Sequence, residues 1–573
     1  MKYFSLPCLV ILIVVAGMPL PQTRSTGSPE TNTVNKENII SCYPDRETMR
    51  KIIEEIDIPP MPGAGKYQWN IRIKNDSARF YFNQGINMYY GFHVIEALGS
   101  FKKAIKFDDT NAMLWWAQAL AYGPNINDVA YAVLPEALES VRWSIRFSKN
   151  NTPVEKLLIE AMAIRYSADS TFSRQKLNHD YTMAMEKIYL KYPGNADVAA
   201  LYVDAMMLEH PWELWNVNGT PKPWTPRIRE VLEKTLVNAP SHPGINHYYI
   251  HVMEPSPFPE KALASANRLG KLSPGLSHLV HMPSHIYLRT GYYSKGYTVN
   301  EAAVKQYNKY LALYPATAAN ETLYRLHSEH MLVNCSMMAG RKEYSVKAAL
   351  SLQKSIDTSY LSLPGGMGNY MHYVYMVPVL VMIRFEDWDG LLNSPAIDDR
   401  HIYASLLWHF GRGMAFCGKN NIPEAKAELT LVERLLKDSS LYQPYDPFSP
   451  AIEGASIAAH LLKGTVALRE KNNKEAIANL VQAVEKEKLM VYNEPRDWLL
   501  NPKYFLAAAY NRDSNWFEAE KIFKLDLKDN NENVWSLAGL YKALQKQGKK
   551  PEAAKVLVRL NKAAAGSDLS FKN

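Results

Sequence analysis

Similar units recur along this chain, each made of two runs of apolar and small residues at spacings of three and four, joined by a polar turn. That spacing places the apolar residues on one face of a helix, so every unit predicts a helical hairpin. The clearest is FNQGINMYYGFHVIEALGSFKKAIKFD (residues 82–108), which breaks at Gly91 and then resumes the same rhythm. Gly85, Ala97 and Ala104, with Phe101, stand where two antiparallel helices need close approach. The same order of small residue, polar turn, Glu-Ala and apolar run returns in residues 459–484, 507–523 and 543–557. One hairpin cannot bury its own apolar face, so the units must stack, and the small rotation from each to the next generates an inner, concave surface.

This arrangement resembles the tetratricopeptide repeat over most of residues 77–565, and the resemblance implies an all-α helical-hairpin solenoid with a concave groove. Composition agrees with a packed chain. At 573 residues, 47% hydrophobic and 21% charged, wholesale disorder is excluded, and the net charge of +8 is spread without the basic blocks of a nucleic-acid tail. Residues 1–25 read as a signal peptide: Lys2 precedes the apolar run Leu6–Met18, which is shorter than the roughly 20 residues that span a bilayer, and Ala16 and Gly17 suit a cleavage zone. The expected destination is periplasmic or secreted, with no transmembrane segment in the mature protein. Cys42 stands too far behind the signal for a lipoprotein anchor. With Cys8 removed, Cys42, Cys335 and Cys417 remain, without CxxC spacing, so neither a disulfide framework nor a cysteine zinc site is expected. Residues 26–76, including Pro59-Pro60-Met61-Pro62, read as a linker and N-terminal extension. Residues 77–240 are expected to form N-terminal repeats, 241–345 a His-rich centre, 346–445 further hairpins and 446–573 C-terminal repeats.

Of 15 histidines, eight fall within residues 242–330: His242, His247, His251, His278, His281, His285, His327 and His330. His247 and His251 are spaced i, i+4, as are His281 and His285, so each pair shares one helix face. Positions 247 and 281, like 251 and 285, lie 34 residues apart, the length of one repeat, which predicts that equivalent imidazoles stack side by side. Framing the repeat on Gly291 puts His278, His281 and His285 at the second, fifth and ninth positions of a first helix. In the repeat resembled here, those positions line the groove. The preceding unit then carries His247, His251 and Glu254 at five, nine and twelve, and the following unit, framed on Gly340, carries His327, His330 and Asn334 at two, five and nine. Imidazole suits Zn, Cu, Fe and Ni, and several rings crowded into one hollow must stay neutral and find an ion or hydrogen-bond partners. A divalent transition metal (Zn, Cu or Fe) is therefore expected on His247, His251, His281 and His285. Glu254, His278, His327 and His330 serve as further ligands or as outer partners that orient the rings. Pro283 is expected to kink the helix between His281 and His285. His242, in HPG (242–244), reads as a helix-start residue outside the site.

The strings HPGINHYYIHVMEPSP and LSHLVHMPSHIYLRTG, with FNQGINMYYGF and YGPNIN, resemble a family of bacterial tetratricopeptide-like proteins carrying HPGxxHxxIH and HLxHMPxHI blocks. One departure is His93 in GFHVIEA, where the family pattern has Asn-His before Glu-Ala. The resemblance implies a helical repeat protein and no particular reaction.

No GxSxG elbow, HExxH helix, GxGxxG fingerprint, P-loop or EF-hand is present. Three functions compete. The first is a metal-dependent enzyme or carrier. The second is a non-catalytic scaffold holding a protein or peptide in the groove, with Tyr248, Tyr249, Tyr287 and Asn334 among its walls. The third is a glycan shelf built from Trp212, Trp215 and Trp224. The long connections 210–224 and Pro364-Gly365-Gly366-Met367-Gly368 are expected to cover the groove, and residues 492–498 to act as a capping turn.

Overall fold

The computed structural model describes residues 58–127, 134–313, 318–445 and 448–571. The expected signal, Cys8, Cys42 and residues 26–57 of the expected linker lie outside the described residues. The chain is an all-α, tetratricopeptide-like helical-hairpin solenoid. Consecutive helices pack as antiparallel pairs, including Asp76–Tyr90 with Val94–Phe107, Tyr293–Leu313 with Ala318–Met338, and Ala451–Arg469 with Asn473–Leu489. In the first pair the small residues act as read from sequence: a Cβ on Gly85 would lie 2.4 Å from the Phe101 ring, so only glycine admits that ring between the helices.

Among the described residues one apolar core runs from Ile58 to Tyr310, a second from Leu326 to Ala509 and a third occupies the C-terminal hairpins, while a small cluster joins Leu288 and Tyr293 to Met331 and Cys335. Residues 58–73 belong to the first core: Ile58, Trp69, Ile71 and Ile73 are buried, and the Gly275 amide donates to the Gly63 carbonyl at 2.8 Å. The expected loop at 364–368 is instead the start of a helix, Gly365–Tyr375. The glycines there serve close approach, since a Cβ on Gly366 would meet the Pro444 carbonyl oxygen at 2.3 Å. Among the described residues no helix is long and apolar enough to cross a membrane.

The two framing glycines are turns: Gly291 has φ +79 and Gly340 φ +70. Each also receives a later repeat. Tyr293 donates its hydroxyl to the Asn531 carbonyl at 2.6 Å, Asn531 Nδ2 donates to the Arg289 carbonyl at 3.0 Å, and the Trp535 indole donates to the Met337 carbonyl at 3.0 Å. The solenoid thus curls until its last hairpins rest on the turns of the histidine-rich units. Gly291→Ala places an L-residue at positive φ and a Cβ 2.7 Å from the Asn531 carbonyl oxygen. It should cost about 1–3 kcal/mol, read as faster amide exchange within residues 516–563 and a lower melting temperature; unchanged exchange there would contradict this docking.

Candidate metal centre

The helix Pro243–Met253 begins at His242, whose Nδ1 accepts from the Ile245 amide at 3.2 Å while Nε2 lies 3.3 Å from Asp197. His242 is therefore a capping residue, as its sequence context indicates. From this helix His247 and His251 point inward, both buried. The next repeat supplies Ser277–His281 and Pro283–Arg289, two short helices separated at Met282, because Pro283 has no amide hydrogen to continue the ladder. The long helix Ala318–Met338 contributes His327 and His330.

The four histidines expected to share one ion do not form one set. They divide into two triads, each completed by a residue from the secondary group: His247, His251 and His278 in one, His281, His285 and His327 in the other. Five of the six rings are buried and His327 is nearly so. In the first triad His247 Nε2 lies 3.0 Å from His251 Nε2 and 3.2 Å from His278 Nε2. In the second, His285 Nε2 lies 2.8 Å from His281 Nε2 and 3.3 Å from His327 Nε2. The triads are neighbours, with ring centroids of His251 and His285 6.1 Å apart and those of His278 and His281 5.8 Å apart.

Partners on the far side of these rings decide which nitrogen carries hydrogen. His247 Nδ1 lies 2.7 Å from the Tyr90 carbonyl, which can only accept, so Nδ1 carries the proton and Nε2 a lone pair. His281 Nδ1 is likewise 2.7 Å from Asn300 Oδ1, and Asn300 Nδ2 is committed to the Gly296 carbonyl. His251 Nδ1 lies 3.4 Å from Glu254 Oε1; His285 Nδ1 is 2.6 Å from Glu254 Oε2 and 3.0 Å from Glu494. In the first triad the Nε2 lone pairs of His247 and His251 thus face each other across 3.0 Å, and in the second the Nε2 lone pair of His281 faces His285 Nε2 at 2.8 Å. A cation between them, a proton or a metal ion, removes that repulsion. Tetrahedral zinc with Zn–N bonds of about 2.0–2.1 Å separates its nitrogens by roughly 3.4 Å, close to the spacings here.

Burial, and the neighbouring imidazoles, hold His247, His278, His281 and His327 well below the usual histidine range; burial also lowers His251. His285 departs from them. Burial opposes its charge, but Glu254 and Glu494 overcome that and raise it to about 10. Glu254 is buried too, yet His285 and His251 hold it down at about 2, while burial pushes Glu494 up. Glu254 therefore stays ionised and bridges one ring of each triad.

Glu494 was not singled out from sequence. Residues 492–498 read as an architectural turn, and part of that reading describes them, since Asn493 Nδ2 donates to Asp497 at 2.7 Å. The same segment also sends Glu494 to His285, with the Tyr492 hydroxyl donating to Glu494 at 2.5 Å. The expected groove residues lie elsewhere. Tyr248 is fully buried beside Phe92 and Tyr90, Tyr249 donates to Glu233, Tyr287 donates to Asn267 at 2.8 Å, and Asn334 lines a separate small pocket. Tyr248 and Tyr287 extend from faces of their helices turned into the packing. The tryptophan shelf is also absent: Trp215 and Trp224 donate to the Val252 and Glu213 carbonyls, and Trp224 stacks on His210. Trp212, from the same connection, stands edge-on to His251 at 5.1 Å and does cover the centre.

Above the triads opens a cavity of about 1080 Å³, counted to its open mouth. His251, His278, His285 and His327 form one wall, and Trp212, Tyr324, Tyr370, Phe448 and Tyr492 belong to the others.

No family profile matches the chain, and no curated protein matches it. Several solved structures align over most of its length at low identity. They include a human IFIT1 dimer with m7Gppp-AAAA (14% identity, 91% of this chain and 94% of that one, TM-score 0.29) and yeast Tom70 (11%, 84% and 99%, 0.30). A third is the APC/C hetero-tetramer Cut9-Hcn1 (12%, 82% and 78%, 0.26). At such TM-scores these likenesses carry no argument about site or partner.

The pKa directions fix a pH response for metal-free protein. The depressed imidazoles take up protons in the unfolded chain first, so stability falls as pH drops below about 6.5, by up to about 1.4 kcal/mol per pH unit for each ring kept neutral. His285 acts oppositely: its contribution is complete below 6.5 and is lost as pH rises through about 10. Denaturation midpoints measured with chelator from pH 5 to 10 should peak near neutrality with the steeper loss on the acid side, and a flat profile would contradict the arrangement.

Proposed function

We propose that the protein binds two divalent transition-metal ions, one on His247, His251 and His278 and the other on His281, His285 and His327. The observation that supports this most directly is the approach of Nε2 atoms to within 3.0 Å of each other in both triads, on rings whose Nδ1 atoms are held by the Tyr90 carbonyl, Asn300, Glu254 and Glu494. Three nitrogen ligands leave a coordination position open, the mark of a catalytic more than a structural site. The open side of both triads is the cavity wall. There a metal would supply Lewis acidity, lowering the pKa of bound water, or bind dioxygen if it is redox-active. The chain's own part is to aim the rings, through the Tyr90 carbonyl, Asn300, Glu254 and Glu494, and to cover them with Trp212. The reading is therefore a metal-dependent enzyme acting on a molecule small enough for the cavity. The apolar leader at Leu6–Met18 supports an exported site of action. A peptide-holding scaffold remains the other reading, but Tyr248 and Tyr287, offered for it, do not face the cavity.

Elemental analysis tests this. Protein loaded with Zn, Cu or Fe(II) and desalted should retain two ions per chain, and His278→Ala and His327→Ala should each retain about one. Glu254→Gln should weaken binding by about 10–100-fold, as removal of an outer partner does. Fewer than one ion per chain, or stoichiometry unmoved by both histidine variants, overturns the proposal.

A further inference from the structure

His330 shares the face of His327, one helical turn along, yet belongs to neither triad. Its ring is 1% exposed, lies in the cavity wall, and neither nitrogen has a hydrogen-bond partner among the described residues. Burial alone pushes it down to about 3, so at neutral pH it is an uncharged ring with one donor and one acceptor to offer. Its nearest aromatic neighbour is Tyr373, edge-on at 6.0 Å. A buried polar group without a partner is costly in a native protein, and a group that completes it from the cavity side offsets that cost. The rest of the cavity selects further. Trp212, Tyr324, Tyr370 and Phe448 supply flat apolar surface, with Leu326, Met371 and Val374 filling between them. No lysine or arginine is among the lining residues, and the two carboxylates present, Glu254 and Glu494, are engaged with His285. In metal-free protein the one charged imidazole of the wall, His285, is already paired with Glu254 and Glu494, so an anionic ligand finds no unpaired cation among the lining residues, and an aliphatic one would leave the ring faces unmatched.

We infer that the cavity binds a small uncharged aromatic molecule bearing a hydroxyl group, its ring among Trp212, Tyr324, Tyr370 and Phe448 and its hydroxyl paired with His330. The inference rests on the metal reading only in taking this cavity as the substrate site; the binding itself requires no ion. A ring held there lies against the wall formed by four of the six triad histidines, His251, His278, His285 and His327.

The test uses the full chain, metal-free and Zn-loaded, with 2-naphthol, naphthalene and 2-naphthoate as probes, followed by tryptophan fluorescence and calorimetry. In metal-free protein 2-naphthol should bind at least 10-fold more tightly than naphthalene or naphthoate, and the Zn-loaded form should keep its preference for 2-naphthol over naphthalene. His330→Leu, which keeps the bulk of the ring, should remove most of the 2-naphthol advantage while leaving naphthalene binding within about 2-fold. That retained binding also shows that the variant is folded. Tyr370→Ala should weaken both neutral probes. If 2-naphthol and naphthalene bind wild-type protein equally, if His330→Leu leaves the hydroxyl preference intact, if naphthoate binds metal-free protein best, or if no probe binds, the inference falls. Zinc content measured on the same samples separates the two readings: two ions without 2-naphthol binding overturns this inference alone, and 2-naphthol binding without ions overturns the metal centre alone.

Discussion

The structure depends on one constraint: a helical hairpin of this composition has more apolar surface than it can cover by itself, so each must lean on the next with equivalent faces in contact. Stacking converts sequence distance into spatial register. Residues 34 apart become neighbours, and the imidazoles of Pro243–Met253 come to stand beside those of the repeat that follows. The centre is thus a by-product of packing, with rigid helices holding ring positions that a loop would not hold as closely.

The same packing sets the electrostatic problem. Six imidazoles in a dry interior cannot all take protons, since desolvation and mutual repulsion both oppose it. One exception is maintained at His285, where two carboxylates converge, and the consequence spreads: Glu254 is kept ionised there and reaches back to His251 in the other triad. The two triads are coupled through that single carboxylate. Whatever charge occupies one alters the field at the other.

The helical hairpins, the turn glycines, the break at Pro283 and the capping role of His242 were all legible in the sequence, because each is set by residues within a turn or two of one another. The histidine column was legible through its 34-residue spacing. Its division into triads was not, since that depends on where His278 and His327, one helical turn off the matched positions, direct their rings. Glu494 was hidden for a stronger reason. It arrives from more than 200 residues further along, by way of the curl that seats the last hairpins on Gly291 and Gly340, and small inter-repeat rotations accumulate without a local signature. Tyr248 and Tyr287 do not line the cavity for a local reason: they leave their helices on faces packed against neighbouring helices, Tyr248 beside Tyr90 and Phe92 and Tyr287 against Asn267.

Closure also explains why the cavity is bounded where an open groove would be continuous. The concave surface of a straight run of repeats suits a long ligand lying along it. Here the connection carrying Trp212 and the segment carrying Tyr492 and Glu494 both contribute to the cavity's lining, so residues nearly 300 apart in sequence enclose one space. What remains is bounded and walled largely by aromatic side chains, with imidazoles on one wall. Such a space favours chemistry at a fixed point over recognition along a length, and the unsatisfied imidazole of His330 lies within it, one helical turn from the nearest triad.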